Sequence, residues 1–291
     1  MNYTKFLKMI TVVANHHKRI AEKIRERFSY EDLMTTEAGN NRKVICTTSH
    51  KFDMKDGRKV KTIGVYLSPA DEVTKLYPEF NINMCPNSGM CDRLCLTTSG
   101  KMALSRNERV RIHKTLAFKA YPERFLNQLL HEVTDEARKA KNRSEIIQCR
   151  INGTSDIAWE RLIHMDLFAA VTPGFHIFYD YTKLGRLRLR RRPESYHLTF
   201  SIDEKDNALS NARHYLNAGL SVAVVLHEKD KNTILDLPGI IDGDLNDHRP
   251  LDPPGSIVVL KSKGKLRKSP VGLFVKSPDF VRELVASKCS A

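Results

Sequence analysis

The sequence predicts an α/β fold with a mostly parallel sheet, and three observations lead to it. Strand-like and helix-like segments alternate from residue 61 onward. The later strand candidates are short, apolar and uninterrupted, as strands covered on both faces are. Polar residues recur just after those strands, where such folds build their sites. Together these favour a partial (β/α) barrel of about six mostly parallel strands with an N-terminal helical extension. An open doubly wound sheet is the alternative. The extension takes residues 1–42, and the barrel domain takes 43–291 with a Cys-rich loop at 83–100.

The elements follow in order. Phe6, Ile10, Val13, Ile20 and Ile24 lie at helical spacing with Lys and Arg between them, so residues 5–28 read as an amphipathic helix. KVICTT and KTIGVYL read as β-type runs, with Asp56-Gly57 as a turn signal between them. Residues 102–120 and 122–140 read as two helices. Pro122 opens the second, and Phe125, Leu126, Leu129, Leu130 and Val133 stripe it. EIIQCRIN (145–152) is a strand, 157–170 a helix around Trp159 and Leu162, and HIFYDY (176–181) a strand. YHLTFSI (196–202) is a strand, and 206–218 a helix with Gly219 as its C-cap. SVAVVL (221–226) and SIVVLK (256–261) are the last strands.

At 291 residues and 41% hydrophobic, the chain fits one barrel-sized domain or two smaller ones. No apolar run approaches the ~18 residues of a membrane span. The N-terminus lacks the apolar core and cleavage site of a secretory signal, so a cytoplasmic protein is expected. Six cysteines are then better read as thiols or metal ligands than as a disulfide framework. Lys and Arg total 48 against 34 Asp and Glu, a formal +14. Such a chain is drawn to polyanions such as nucleic acid, although a solvated basic surface needs no partner. No Walker loop, dinucleotide fingerprint, GxSxG or HExxH occurs, so nucleotide hydrolysis, serine hydrolysis and zinc proteolysis lack their usual support.

The segment NMCPNSGMCDRLCLTTSGK (83–101) carries Cys85, Cys91 and Cys95 as Cys-x5-Cys-x3-Cys. Three thiolates this close in sequence converge on one metal at little loop-closure cost. Soft thiolates select zinc, copper(I) or iron–sulfur clusters. Structural zinc usually takes four protein ligands in closely spaced pairs, whereas the local count here is three. A 4Fe–4S cluster is therefore favoured over zinc. One iron would be left for a small molecule, or Cys149 or Cys46 would supply a fourth sulfur. Cys149 reads equally well as an ordinary buried thiol.

The loop follows the first strand of a βα series and precedes a long helix. That placement resembles radical S-adenosylmethionine enzymes, which hold their cluster after the first strand of a partial barrel. The likeness implies S-adenosylmethionine as a cofactor, with NGTSD (152–156) near its amino group. The usual spacing there is Cys-x3-Cys-x2-Cys, from which this chain departs. A closer resemblance runs through KTIGVYLSPADEV, CPNSGMCDRLCLTTSG, RINGTSDIAWE, FYDYTK, YHLTFSI and IIDGDLNDHRPLDPPGSIVVLKSKGK. These segments, in this order over about residues 61–267, resemble a family of phage and prophage proteins called gene product eighty-eight-like. The resemblance implies a mobile-element origin and supplies no reaction.

Asn152, Ser155 and Arg109 are candidate cofactor-binding residues, and Asp156, Asp180 and Lys183 candidate catalytic groups. Asp180, Tyr181 and Lys183 offer a carboxylate, a phenol and an amine at one strand end, suited to proton transfer or anion binding. Ser155 or Asp156 reads equally as a helix cap, and the 180–183 group as a surface turn. In DGDLNDHRPLD (242–252), clustered oxygens can bind magnesium or calcium, but the spacing departs from an EF-hand. A turn-rich loop, or hydrogen bonds to a ribose, is the other reading. Basic residues concentrate at Arg106–Lys114, at Arg186–Arg192 and at Lys261–Lys268, with Arg106, Arg109 and His113 on one helical face. The functional expectation is an iron–sulfur enzyme acting on a nucleic acid or nucleotide. The alternatives are a non-enzymatic nucleic-acid-binding protein with a structural metal and a host-interaction protein on a degenerate barrel.

Overall fold

A computed structural model describes residues 18–47, 59–184 and 192–289. The chain divides into two compact units that interleave along the sequence. The first takes Met1–Pro86, Leu104–Phe178 and Arg190–Tyr196, and the second takes Asn87–Ala103, Tyr179–Leu189 and His197–Ala291.

In the first unit, α1 (Lys18–Arg27) and α2 (Tyr30–Met34) precede β1 (Ile45–Thr47) and β2 (Val60–Val65). Ser29 and Asp32 cap α2 reciprocally: the Ser29 hydroxyl accepts from Asp32 N, and the Asp32 carboxylate accepts from Ser29 N. Next come α3 (Glu72–Leu76), α4 (Ser105–Ala120), α5 (Pro122–Asn142), β3 (Ile146–Arg150) and α6 (Met165–Val171). Pro122 opens α5 at a position that needs no amide hydrogen, and its five-residue apolar stripe is buried throughout. Phe118 of α4 stacks between Phe125 and Trp159 at the heart of this core. β1 runs antiparallel to β2, and β2 runs parallel to β3.

β4 (Phe175–Thr182) begins in the first unit and ends in the second. The second unit continues with β5 (Tyr196–Ser201), α7 (Ala208–Asn217), β6 (Val222–Leu226), α8 (Glu228–Asn232), β7 (Ile240–Asp242), β8 (Ile257–Lys261) and α9 (Pro278–Cys289). β6 pairs parallel with β5 on one side and β8 on the other, and β7 pairs parallel with β8. Ala212, Tyr215 and Leu216 of α7, with Val281 and Leu284 of α9, pack on the inner residues of these strands. Gly219, at φ +73°, ends α7 as its position predicts.

Three expectations need correction. Among the described residues there are eight strands rather than six, and there β1 and β7 each pair on one side alone, so these strands do not close into a barrel. β7 went unseen because Ile-Ile-Asp is too short to show a period within a Gly/Asp-rich stretch. The 157–170 helix is instead a 3₁₀ turn at Trp159–Arg161 followed by α6, because the backbone leaves the helical region at His164 (ψ 79°). The 5–28 helix is described only from Lys18, and the Asp56-Gly57 turn lies outside the described residues.

Candidate metal centre and strand-end site

Within the first unit, the parallel pairing of β2 and β3 sends both strands out at the same end. There the NGTSD segment ties itself to the stem of the cysteine loop. Gly153 N donates to Val65 O (2.8 Å), and Asp156 N donates to Met84 O (2.9 Å). The Thr154 hydroxyl donates to Leu67 O, and the Cys85 thiol lies 3.6 Å from Thr154 O. Gly153 has no room for a Cβ, which would meet the Tyr66 ring and Val65 O. Asn152 is turned inward: its Oδ1 accepts from Ser155 Oγ (2.8 Å), Ile157 N (3.1 Å) and Trp159 Nε1 (2.8 Å). Asn152 and Ser155 are buried, so both are engaged in shaping this loop, whereas Asp156 is partly exposed.

Cys149 is fully buried in β3. Cys46 is exposed, with Lys114 Nζ 3.5 Å from its sulfur and donating also to Val44 O. On α4, Arg106 and Arg109 are exposed while Arg111 is buried against Glu72. Burial, with Arg42 and Arg109 nearby, holds the His113 imidazole below its usual range.

Within the second unit, the remainder of the cysteine loop rests on strand ends. Lys183, just beyond β4, donates from Nζ to Ser88 O (3.2 Å), lies 3.7 Å from Glu204 and sits 4.5 Å over the Phe274 ring. Glu204, just beyond β5, accepts from Met90 N (2.7 Å). Burial opposes its charge, but the Met90 amide, its own backbone amide, Lys183 and Lys205 outweigh that and hold its carboxyl below the usual range. Ser88 O also accepts from Cys91 N (2.9 Å), so the turn entering Cys91 is clamped from two strand ends. Cys91 and Leu94 pack on Leu266, Phe274 and Val275. A Cβ on Gly264 would press on Ser99. Lys183 is therefore committed to seating the loop.

Asp180 is fully buried in β4. Its neighbours Tyr179 and Tyr181 share the other strand face, and both hydroxyls donate to Asp247 (3.0 Å each). Cys46, Cys85, Cys91, Cys95 and Cys149 are free thiols, and Cys85, Cys91 and Cys95 are all partly exposed. Among the described residues, no three His, Cys, Asp or Glu side chains are gathered as a metal ion would need.

The acidic stretch 242–252 is an ion-pair network. Lys231 is buried and pairs with Asp242 and with Asp244 (2.8 Å), and Asp244 also accepts from Lys261 N and pairs with Lys263. Arg249 is fully buried and lies 3.2 Å from Asp252. Burial pushes the Asp252 carboxyl up to about 6, with Arg249 opposing. A raised folded-state pKa means that protonation favours the folded protein. The contribution is thus present at pH 4 and lost as pH rises through about 6. Stability of the second unit is expected to fall by about 2 kcal/mol over that interval. Urea unfolding of Asp252→Asn should lack this slope.

The Lys261–Lys268 patch is only partly neutralised. Lys261 pairs with Glu228 and Lys263 with Asp244, while Lys265, Arg267 and Lys268 are exposed without an ion pair among the described residues. Arg192 is exposed; Arg186, Arg188, Arg190 and Arg191 lie outside the described residues. Sequence reasoning missed Glu204 and Phe274 as parts of the strand-end site. Its one usable signal was Glu204 lying beside Asp203 just past a strand. No helix among the described residues is long and apolar enough to cross a membrane.

The family model described as Gene product 88 matches residues 33–276. No curated protein and no solved structure matches the chain.

Proposed function

The chain belongs to the phage-type Gene product 88 family, and we propose that it is an iron–sulfur protein acting on a nucleic acid or nucleotide. Cys85, Cys91 and Cys95 would ligate the cluster. One observation carries this reading: three partly exposed thiols occupy one loop, whose stem is tied within the first unit to the segment after β3 and whose first turn is tied within the second unit to residues just beyond β4 and β5. Polar loops seldom concentrate thiols without a ligand to hold. Because the described side chains do not already form a metal pocket, the reading requires the loop to close as the cluster binds. The cluster would supply redox chemistry, and the strand ends would hold the loop and the reactant.

Anaerobically purified protein is expected to be brown, with iron and acid-labile sulfide in equal amounts. A colourless protein with stoichiometric zinc, after expression with ample iron, overturns the cluster. S-adenosylmethionine is a second step with its own readout. Reductive cleavage to methionine under anaerobic conditions is expected, and its absence removes that cofactor while leaving the cluster.

A second reading is favoured by the exposed Lys265, Arg267 and Lys268: a nucleic-acid-binding protein whose cysteines make a structural metal knot. It expects affinity for DNA or RNA to fall steeply with salt, by a log–log slope of about −0.7 to −0.9 per phosphate contacted. It also expects Cys91→Ser to unfold the protein. A folded Cys91→Ser protein with unchanged binding overturns it.

A further inference from the structure

His227 and Ser262 meet at the C-terminal ends of two adjacent parallel strands. β6 and β8 pair in register through Leu226↔Lys261, so the residues that follow, His227 and Ser262, emerge side by side. Ser262 N donates to Leu226 O (2.8 Å), and Lys231 N donates to His227 O (2.9 Å), which fixes both backbones. Ser262 Oγ lies 3.1 Å from His227 Nδ1, and His227 Nε2 lies 3.1 Å from Ser269 O. A carbonyl oxygen can only accept, so Nε2 of the neutral ring carries the hydrogen. Nδ1 is then the bare lone pair, and the Ser262 hydroxyl donates to it. A hydroxyl aimed at a base that a third group orients is the arrangement of an activated nucleophile.

The surroundings select the electrophile. The chain from Lys261 to Lys268 carries five cations, of which Lys265, Arg267 and Lys268 are exposed without an ion pair among the described residues. An anionic ester is attracted there and a neutral one is not. Ser262 is 6% exposed, so its hydroxyl is shielded from bulk water.

We propose that Ser262 and His227 are the nucleophile and general base of a phosphodiester-transfer site. Its turn also seats the cysteine loop, through Leu266 against Cys91 and Gly264 against Ser99, but the step uses none of the cysteines. Ser262 Oγ would form a bond to phosphorus as the phosphorus–oxygen bond to the departing alcohol breaks. The serine proton would pass to His227 Nδ1 and then to the leaving oxygen. The resulting imidazolium would be steadied by the Ser269 carbonyl. The product is a phosphodiester linked to Ser262 and a free alcohol, and no oxidant, reductant or metal enters the balance.

Two probes test this on the full chain. A fluorophosphonate should form an adduct on Ser262 with loss of fluoride, located by peptide mass spectrometry. His227→Gln keeps a side chain able to hydrogen-bond but lacks a proton-accepting ring. It should label about a hundredfold more slowly with an unchanged melting temperature. No adduct on Ser262 in the folded wild-type protein, or equal labelling in His227→Gln, overturns the pair and leaves it as a tie between β6 and the 262–269 turn. A single-stranded DNA oligonucleotide should give a denaturant-resistant protein–DNA adduct that Ser262→Ala abolishes. Fluorophosphonate labelling without that adduct overturns the phosphodiester as substrate.

Discussion

Replacing Arg111 with leucine is expected to destabilise the first unit by about 3–5 kcal/mol, as the loss of one partner from a buried ion pair does. Arg111 of α4 grips Glu72 of α3 through two hydrogen bonds, one of them Nε to Oε2 at 3.0 Å. Their side chains are only 4% and 10% exposed. Leucine would leave the Glu72 carboxylate buried without its cation. That penalty, rather than the strength of the pair, sets the size of the effect. Arg111→Leu combined with Glu72→Met should therefore recover most of the loss, because no charge then stays buried. Urea titration of both variants checks this. A single variant within 1 kcal/mol of wild type, or a double variant no better than the single, would contradict it.

Gly89→Ala is expected to unseat the turn that carries Cys91. Gly89 has φ +52°, where a Cβ costs about 1–2 kcal/mol. That Cβ would also run into the Glu204 carboxylate, which is the acceptor for Met90 N. Glu204 would have to release the amide, and Lys183 would lose the partner that helps place it on Ser88 O. Iodoacetamide should modify Cys91 about tenfold faster, and, if the proposed cluster is bound, iron per chain should drop in protein purified without oxygen. Gly89→Ala with Glu204→Ala removes the clash but keeps the positive φ, so it should recover only part of the seating. Unchanged alkylation and iron content in Gly89→Ala would show that this clamp does not govern the cysteine.

The legible parts of this sequence were those with a strong local period. The α5 stripe and the apolar strands at 146–150, 222–226 and 257–261 signal their state without help from elsewhere in the chain. β7 and the short helix α3 were hidden because three to five residues cannot express a period. The same limit governs the candidate site. Cys85, Cys91 and Cys95 stand out because cysteine is rare, and NGTSD because it follows a strand. That Lys183 and Glu204 hold a turn some 95–114 residues earlier is a long-range fact. Residue type alone shows a carboxylate or an amine. It does not show whether a backbone amide has already claimed it.

The interleaving of the two units constrains how the protein is made and dissected. The first unit needs the segment ending at Tyr196, and the second begins at Asn87. Neither can be cut out as one continuous piece of gene. On the ribosome, the first unit is incomplete until residue 196 has emerged, roughly 10–40 s into synthesis at about 5–20 residues per second. A serial truncation from either end would report the collapse of a unit before it reported the loss of a site.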